Sequence, residues 1–170
     1  TNYVLPTTMS GTIGAITPKT ITISLTGSVQ KIYDGSLTTT LNSDNFQASG
    51  LIDGDVLLLK PITVIFVSKE VGQSISVTSS ISNGDLISNN YSLSATTLTG
   101  TVGVITPKPL VGTLVGSVSR AYDGTSLATL SADNYSFSGL VGNESLTVNK
   151  TQGTFDNQNV GSSLLVTATL

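Results

Sequence analysis

The sequence contains one short motif twice, as Lys31-Ile32-Tyr33-Asp34-Gly35-Ser36 and as Arg120-Ala121-Tyr122-Asp123-Gly124-Thr125. In both copies Asp before Gly predicts a turn, because an Asp side chain accepts hydrogen bonds from backbone donors ahead of it and Gly readily adopts a positive φ. The Tyr before the turn can bury its ring while its hydroxyl bonds to backbone or water. We interpret both motifs as structural turns that fix strand register, in preference to ligand-binding sites.

The motif belongs to a longer internal repeat. Ile16-Thr17-Pro18-Lys19 returns as Ile105-Thr106-Pro107-Lys108, an offset of 89 residues (105 − 16). The same offset relates Tyr33 to Tyr122 and Phe66 to Phe155, and no insertion is needed between Ala15 and Ile81. A fixed period over this length predicts one small domain, copied in tandem.

Within the first copy, the apolar residues follow the period of a β-strand. Ile21, Ile23 and Leu25 alternate with Thr or Ser, which predicts a half-buried strand. Residues 62–67 are apolar on both faces and predict a central strand that is covered on both sides. Residues 91–101 predict one last strand. No stretch has a convincing helical period.

Turn signals at short spacing favour a sandwich. The predicted fold is therefore all-β, with two tandem β-sandwich (Ig-like) modules. A β-grasp-like module is the alternative, and it requires residues 36–44 to be helical.

The predicted domains are a closing strand of a preceding repeat at 1–14, a first module at 15–103 and a second module at 104–170. Residues 1–14 echo the end of the first module, and the second module lacks its own closing strand. Pro18, Pro107 and Pro109 remove backbone donors and fix φ, so they predict stiff, extended joints that keep modules in line. No signal-peptide pattern opens the sequence, so we expect a segment of a longer chain.

The offset ends have two explanations. The first is an excerpt from a longer array. The second is donor-strand exchange, in which the segment Tyr3–Ile13 of one molecule completes the open sheet edge of another.

Composition excludes several functional classes. The chain has 170 residues, no Cys, no His and a net charge of −3, with seven Lys and Arg residues. The absence of Cys and His excludes disulfide scaffolds, thiolate zinc sites and Ser-His or Cys-His nucleophiles. With this net negative charge and so few basic residues, we expect no basic surface that would bind nucleic acid or a membrane. We therefore expect no enzyme activity, no cofactor, no nucleic-acid partner and no membrane insertion.

Asp53 and Asp55 flank Gly54 and are the weak candidates for a calcium site, since hard cations favour clustered carboxylates. The full spacing of an EF-hand loop is absent, and the second copy has Gly142-Asn143-Glu144 at these positions. A plain turn is the preferred interpretation.

The chain resembles the YDG-type repeats of large bacterial surface and secreted adhesins. The resemblance rests on the Tyr33-Asp34-Gly35 motif, on Gly50-Leu51 followed by Gly54-Asp55, on Asn90-Tyr91 and on residues 105–108. It covers nearly the whole chain twice, and the second copy departs from it at Asn143-Glu144. The resemblance implies an all-β module, arranged in tandem arrays that project an adhesive tip or build a surface fibre.

The expected function is that of a structural stalk repeat of an extracellular bacterial adhesin, with neighbouring repeats or other copies as partners and its ligand unknown. One alternative is a polymerising fibre subunit, joined by strand exchange through residues 1–14. Another is a module that binds a glycan or a host protein through loops such as 82–90.

Overall fold

The computed structural model describes residues 2–170, so residue 1, the first residue of the predicted closing strand, lies outside it. Strands account for 38% of the chain, and residues 2–170 contain no helix of seven or more residues. The prediction of an all-β fold is confirmed. Short strands follow from the sequence, since glycines with positive φ, such as Gly27, Gly50 and Gly54, interrupt the apolar alternation at short intervals.

Across residues 2–170, thirteen strands and three short 3₁₀ turns follow one another. The strands are β1 (Lys19–Leu25), β2 (Val29–Ile32), β3 (Thr38–Leu41), β4 (Phe46–Ser49), β5 (Ile62–Phe66), β6 (Gly72–Ser80), β7 (Tyr91–Leu93), β8 (Thr97–Thr106), β9 (Val111–Leu114), β10 (Leu127–Thr129), β11 (Tyr135–Ser138), β12 (Gln152–Phe155) and β13 (Val166–Thr167). The 3₁₀ turns are Ser43–Asn45, Asn83–Asp85 and Ala132–Asn134.

The chain forms two compact units. The first contains the residues through Lys31 together with Leu37–Ile105, and the second contains Ile32–Ser36 together with Thr106–Leu170. The first repeat's Tyr-Asp-Gly turn therefore belongs to the second unit. The domain limits predicted from the sequence remain a prediction.

The first unit has two sheets. The larger has the strand order β2-β8-β6-β5-β3, and the smaller has the order β4-β1-β7. In the larger sheet, β8 pairs antiparallel to β6 along its length, from Gly72 opposite Ile105 to Ser80 opposite Thr97. In the smaller sheet, β1 runs antiparallel to β4 and parallel to β7. Two sheets in one unit agree with the predicted sandwich-like arrangement.

The core of the first unit is formed by the alternate, inward-facing residues of these strands. Ile21, Phe66 and Val77 are almost completely buried, as are Val29 and Ile105. Period-two alternation produces this pattern because successive side chains on a strand point to opposite faces.

The second unit repeats part of this plan. Its sheets have the orders β10-β12-β13 and β11-β9, which correspond by the offset of 89 to β3-β5-β6 and β4-β1 of the first unit. Among its described residues, the second unit has no strand that corresponds to β2, β7 or β8.

Three predictions need correction. The strand at 62–67 is not covered on both faces, because Ile65 is 53% exposed and the buried residues of β5 alternate with exposed ones. The last strand of the first module is two strands, β7 and β8, which lie in different sheets. Residues 36–44 contain β3 and no α-helix, so the condition for the β-grasp alternative is not met.

Within the described part of the chain, no helix is long and apolar enough to cross a membrane.

Candidate functional site

The two Tyr-Asp-Gly turns have the same local geometry. Asp34 Oδ1 accepts hydrogen bonds from the backbone N–H of Ser36 at 2.9 Å and from its hydroxyl at 2.8 Å. Asp123 Oδ1 accepts the same pair from Thr125, both at 2.9 Å. The following glycine has φ 76° in both turns. Local bonds of this kind compete with strand pairing and end it, which explains why the motif lies in a turn.

The tyrosines of the two turns differ in their surroundings. Tyr33 is half-buried, its backbone N–H donates to the carbonyl of Thr106 at 2.9 Å, and its hydroxyl donates to the carboxylate of Glu144. A Cβ added to Gly35 would lie 2.7 Å from the Val141 side chain, so this turn packs tightly. Tyr122 is 64% exposed.

A cation precedes each turn and lies over an equivalent phenylalanine ring. Lys31 Nζ lies 6.0 Å from the centre of the Phe66 ring, and the Arg120 guanidinium lies 5.7 Å from that of Phe155. The side chain of Arg120 also pairs with Asp123. The pKa of Asp123 is lowered, chiefly by the backbone N–H of Thr125, then by its hydroxyl and by Arg120.

The Asp53–Asp55 loop is held by a tyrosine from a distant strand. Tyr91 donates its hydroxyl proton to the Asp55 carboxylate, and the same hydroxyl oxygen accepts from the Ile52 backbone N–H at 3.1 Å. The bond to Asp55 is the main cause of the raised pKa of Tyr91. Across residues 2–170, no group of three or more His, Cys, Asp or Glu side chains could hold a metal ion. The described residues therefore provide no third carboxylate for the candidate calcium site at Asp53 and Asp55.

The predicted joints lie directly beside strands. Pro18 precedes β1, whose first residue, Lys19, donates its backbone N–H to the carbonyl of Asn90 at 2.9 Å. Pro107 follows β8, and Pro109 lies between β8 and β9. Each joint is therefore covalently continuous with a strand of a packed unit.

The second unit contains an open groove of about 1070 Å³. Its apolar lining includes Leu130, Phe155 and Val166, and its sides are formed by residues 115–122 and 157–168. By the offset of 89, these two sides correspond to β2 and β6 of the first unit. In the first unit β8 lies between β2 and β6. We call the opening between 115–122 and 157–168 the strand gap.

Residues 2–17 are all exposed and contain no strand in the structure. Met9, Ile13 and Ile16 are 89%, 96% and 102% exposed. By the offset of 89, residues 8–17 are the counterparts of β8. The sequence predicted a missing closing strand in the second module, but it did not reveal the strand gap, whose walls come from segments far apart in the chain.

Comparisons with known proteins agree with this repeat structure. The YDG domain family matches residues 17–98 and 106–170, most of the chain. No curated protein matches the chain, and no solved structure matches it. Two all-β sequence repeats, each with a Tyr-Asp-Gly turn at the same position, define a tandem β-repeat protein. The chain belongs to the YDG domain family.

Proposed function

We propose that the two modules are stalk repeats of an extracellular bacterial adhesin, which extend an adhesive region from the cell surface and carry tension along the chain. The tandem YDG domains support this proposal, as does the fact that β1 and β8 continue directly into the joints. Bacterial surface location and adhesion belong to the proposal.

The observation that carries the proposal is the position of β8. This strand lies inside the five-stranded sheet, between β2 and β6, and it ends at Thr106, immediately before Pro107. Tension transmitted through the joint is therefore applied to the end of an interior strand.

An interior strand resists such a load through several bonds at once. The hydrogen bonds of the antiparallel β6–β8 pair are perpendicular to the strands, so sliding β8 lengthwise strains them together. Inward-facing residues of β8, Leu98 and Ile105, are 6% and 2% exposed and would also have to leave the core. Both effects favour a module that unfolds in one cooperative step.

The alternative of a direct binding module receives less support. The loop at 82–90 contains no aromatic residue. Its Asp85 carboxylate accepts from the Ser82 backbone N–H at 2.7 Å, and Lys60 donates to the carbonyl of Gly84 at 2.6 Å. These bonds fix the conformation of the loop.

The test is single-molecule stretching of the 170-residue protein, attached at its two ends. We expect a discrete force peak for the first module, with release of about 29–32 nm of extended chain for the residues from the start of β1 to the end of β8, less the folded length of the module. Smooth extension without a peak would contradict the stalk role. Saturable binding to immobilised glycans or host matrix proteins, lost when loop 82–90 is changed, would favour the binding module.

A further inference from the structure

We infer that the first and last segments of the first module form a shear clamp, a pair of strands that resists tension along the chain and opens at a much lower force when pulled apart from one end. We call the chain from β1 through β2 the first segment and the chain from β7 through β8 the last segment. The biological role of the clamp rests on the stalk proposal, whereas the direction in which the module is strong goes beyond that proposal.

The first and last segments are neighbours in both sheets. β1 lies beside β7 in the smaller sheet, and β2 lies beside β8 in the larger sheet. Each segment therefore crosses from one sheet to the other, and the two cross together. β1 and β8 are interior strands, whereas β7 and β2 lie at sheet edges. Each segment is thus held on its other side by a further strand over part of its length.

The two segments also run in the same direction. Where both begin, β1 is parallel to β7 and Lys19 lies opposite Tyr91. At the other end, Tyr33, which directly follows β2, donates its backbone N–H to the carbonyl of Thr106, the last residue of β8, at 2.9 Å. The joint before β1 is therefore attached to one end of the pair, and the joint after β8 is attached to the other end.

Tension between the two joints pulls the segments lengthwise in opposite directions. The bonds between the segments are then loaded together, because evenly spaced hydrogen bonds join parallel strands along their length. They include the bond from the Lys19 N–H to the Asn90 carbonyl and the bond from the Ser94 N–H to the Ile21 carbonyl, both at 2.9 Å. Pulling the segments apart from one end loads these bonds one after another.

Side chains add to the pairing on both faces of the smaller sheet. On the outer face, the hydroxyl of Thr20 lies 3.3 Å from that of Ser92, and the hydroxyl of Thr22 lies 3.1 Å from that of Ser94. On the inner face, both segments contribute buried apolar residues to the core. Lengthwise sliding therefore separates the hydroxyl pairs and disturbs the core in the same step.

The test compares two directions of pulling on the full 170-residue protein, which has no Cys of its own, so that introduced thiols define the points of attachment. Lys19→Cys with Lys108→Cys applies tension at opposite ends of the pair. Lys19→Cys with Asn90→Cys applies tension at one end, where the two backbones are bonded to each other. All three positions are exposed, and the thiols are kept reduced until attachment.

We expect the rupture force between positions 19 and 108 to exceed that between positions 19 and 90 about threefold or more, since at least three backbone bonds share the load in the first direction and one bond carries it in the second. The released length identifies each event. Complete unfolding releases about 30–32 nm of extended chain between positions 19 and 108 and about 24–26 nm between positions 19 and 90, less the folded distance.

Two proline substitutions separate the clamp from general stability. Ser94→Pro removes the N–H that donates to the Ile21 carbonyl, within the clamp. Val67→Pro removes the N–H that donates to the Ser76 carbonyl, also at 2.9 Å, where β5 leads into β6. We expect both substitutions to lower the urea midpoint of the first module. Only Ser94→Pro should lower the rupture force between positions 19 and 108, by about a third, the share of one bond in three.

Equal rupture forces in the two directions, or a lower force between positions 19 and 108, would overturn the clamp and leave the stalk proposal standing, because the module would still give a force peak. An equal decrease of that force in Ser94→Pro and Val67→Pro would also overturn the clamp. Saturable binding through loop 82–90, together with a direction-dependent force, would count against the stalk role and leave the clamp standing. The absence of a force peak in both directions would overturn both proposals.

Discussion

The two repeats have similar sequences but very different cores. Among residues 2–170, fifteen of the seventeen buried apolar side chains lie in the first unit, and the other two are Ala128 and Leu130 in the second. Phe66 is 1% exposed and its counterpart Phe155 is half-buried. Their neighbours in the sequence also differ, since Thr151 and Gly153 replace Ile62 and Val64. Two features accompany this difference: β7 and β8 lie in the first unit, and Gly112, Thr151 and Gly153 occupy the positions of the buried Ile23, Ile62 and Val64.

One repeat position stays buried in both units. Leu41 is 7% exposed and its counterpart Leu130 is 3% exposed. Leu41 is the last residue of β3, and Leu130 directly follows β10. Each of these strands lies at an edge of its sheet, opposite to the position of β8. Burial at this position is thus retained in both units, at the sheet edge far from the position of β8.

The largest expected effect compares the two phenylalanines. Phe66→Ala should lower the free energy of unfolding of the first module by about 3–5 kcal/mol, since it removes a fully buried ring. Phe155→Ala should cost less than about 1.5 kcal/mol in dilute protein, because that ring is already half-exposed. Urea unfolding followed by hydrogen-exchange mass spectrometry measures each module separately. Equal losses would contradict the difference in burial between the two rings.

The next effect concerns the glycines of β8. Gly103→Ala places a Cβ within 2.9 Å of three groups of the core and should destabilise the first module by about 1–3 kcal/mol. Gly100→Ala, which meets only ordinary contacts, is the matched control and should cost less than about 0.5 kcal/mol. The same unfolding measurement applies, and the second module should be unaffected by either substitution.

A smaller effect is expected at high pH in the first module. The pKa of Tyr91 is raised above its ordinary value of 10.0, mainly by its hydrogen bond to Asp55. Its contribution to stability is therefore present below pH 10 and is lost as the pH rises through the higher folded-state pKa. Tyr91→Phe should remove this part of the alkaline loss of stability, as measured by urea midpoints between pH 9 and pH 12. Tyr122→Phe, at an exposed position, is the control and should leave the profile unchanged.

The smallest effect lies at low pH in the second module. The pKa of Asp123 is lowered below its ordinary value of 3.8, first by the Thr125 backbone N–H. The resulting stability is present above pH 3.8 and is lost as the pH falls through the lower folded-state pKa. Asp123→Asn should reduce the loss of the second module's free energy of unfolding as the pH falls below 3.8, whereas Asp133→Asn should leave that loss unchanged. A profile that is the same in both variants would contradict a role for this turn in stability.

Part of the fold could be predicted from single segments. The alternation of Ile21 and Ile23 with polar residues predicted β1, and the structure buries both side chains. The repeat itself was visible because the offset of 89 runs without insertion. The role assigned to the Tyr-Asp-Gly turns remains a prediction, although both carboxylates make the local bonds that such a turn requires.

Other parts of the fold could not be predicted, because they depend on which strands are neighbours. Ile62–Phe66 contains apolar residues on both faces, and the pattern did not indicate that Ile65 would be exposed. Residues 91–101 have one continuous strand pattern, yet the chain crosses between two sheets at residues 94–96. The hydroxyl bonds of Tyr33 to Glu144 and of Tyr91 to Asp55 join residues 111 and 36 positions apart, and no local pattern signals them.

The sequence alone therefore determined the strand period, the turns and the tandem copy, since each is set by backbone preferences over a few residues or by direct repetition. Only the tertiary structure decided that β8 lies inside a sheet, between β2 and β6. The physical reason is that a strand satisfies its hydrogen bonds and buries its apolar face against remote segments. A period of two records which face is apolar, but it carries no information about which strand will cover that face.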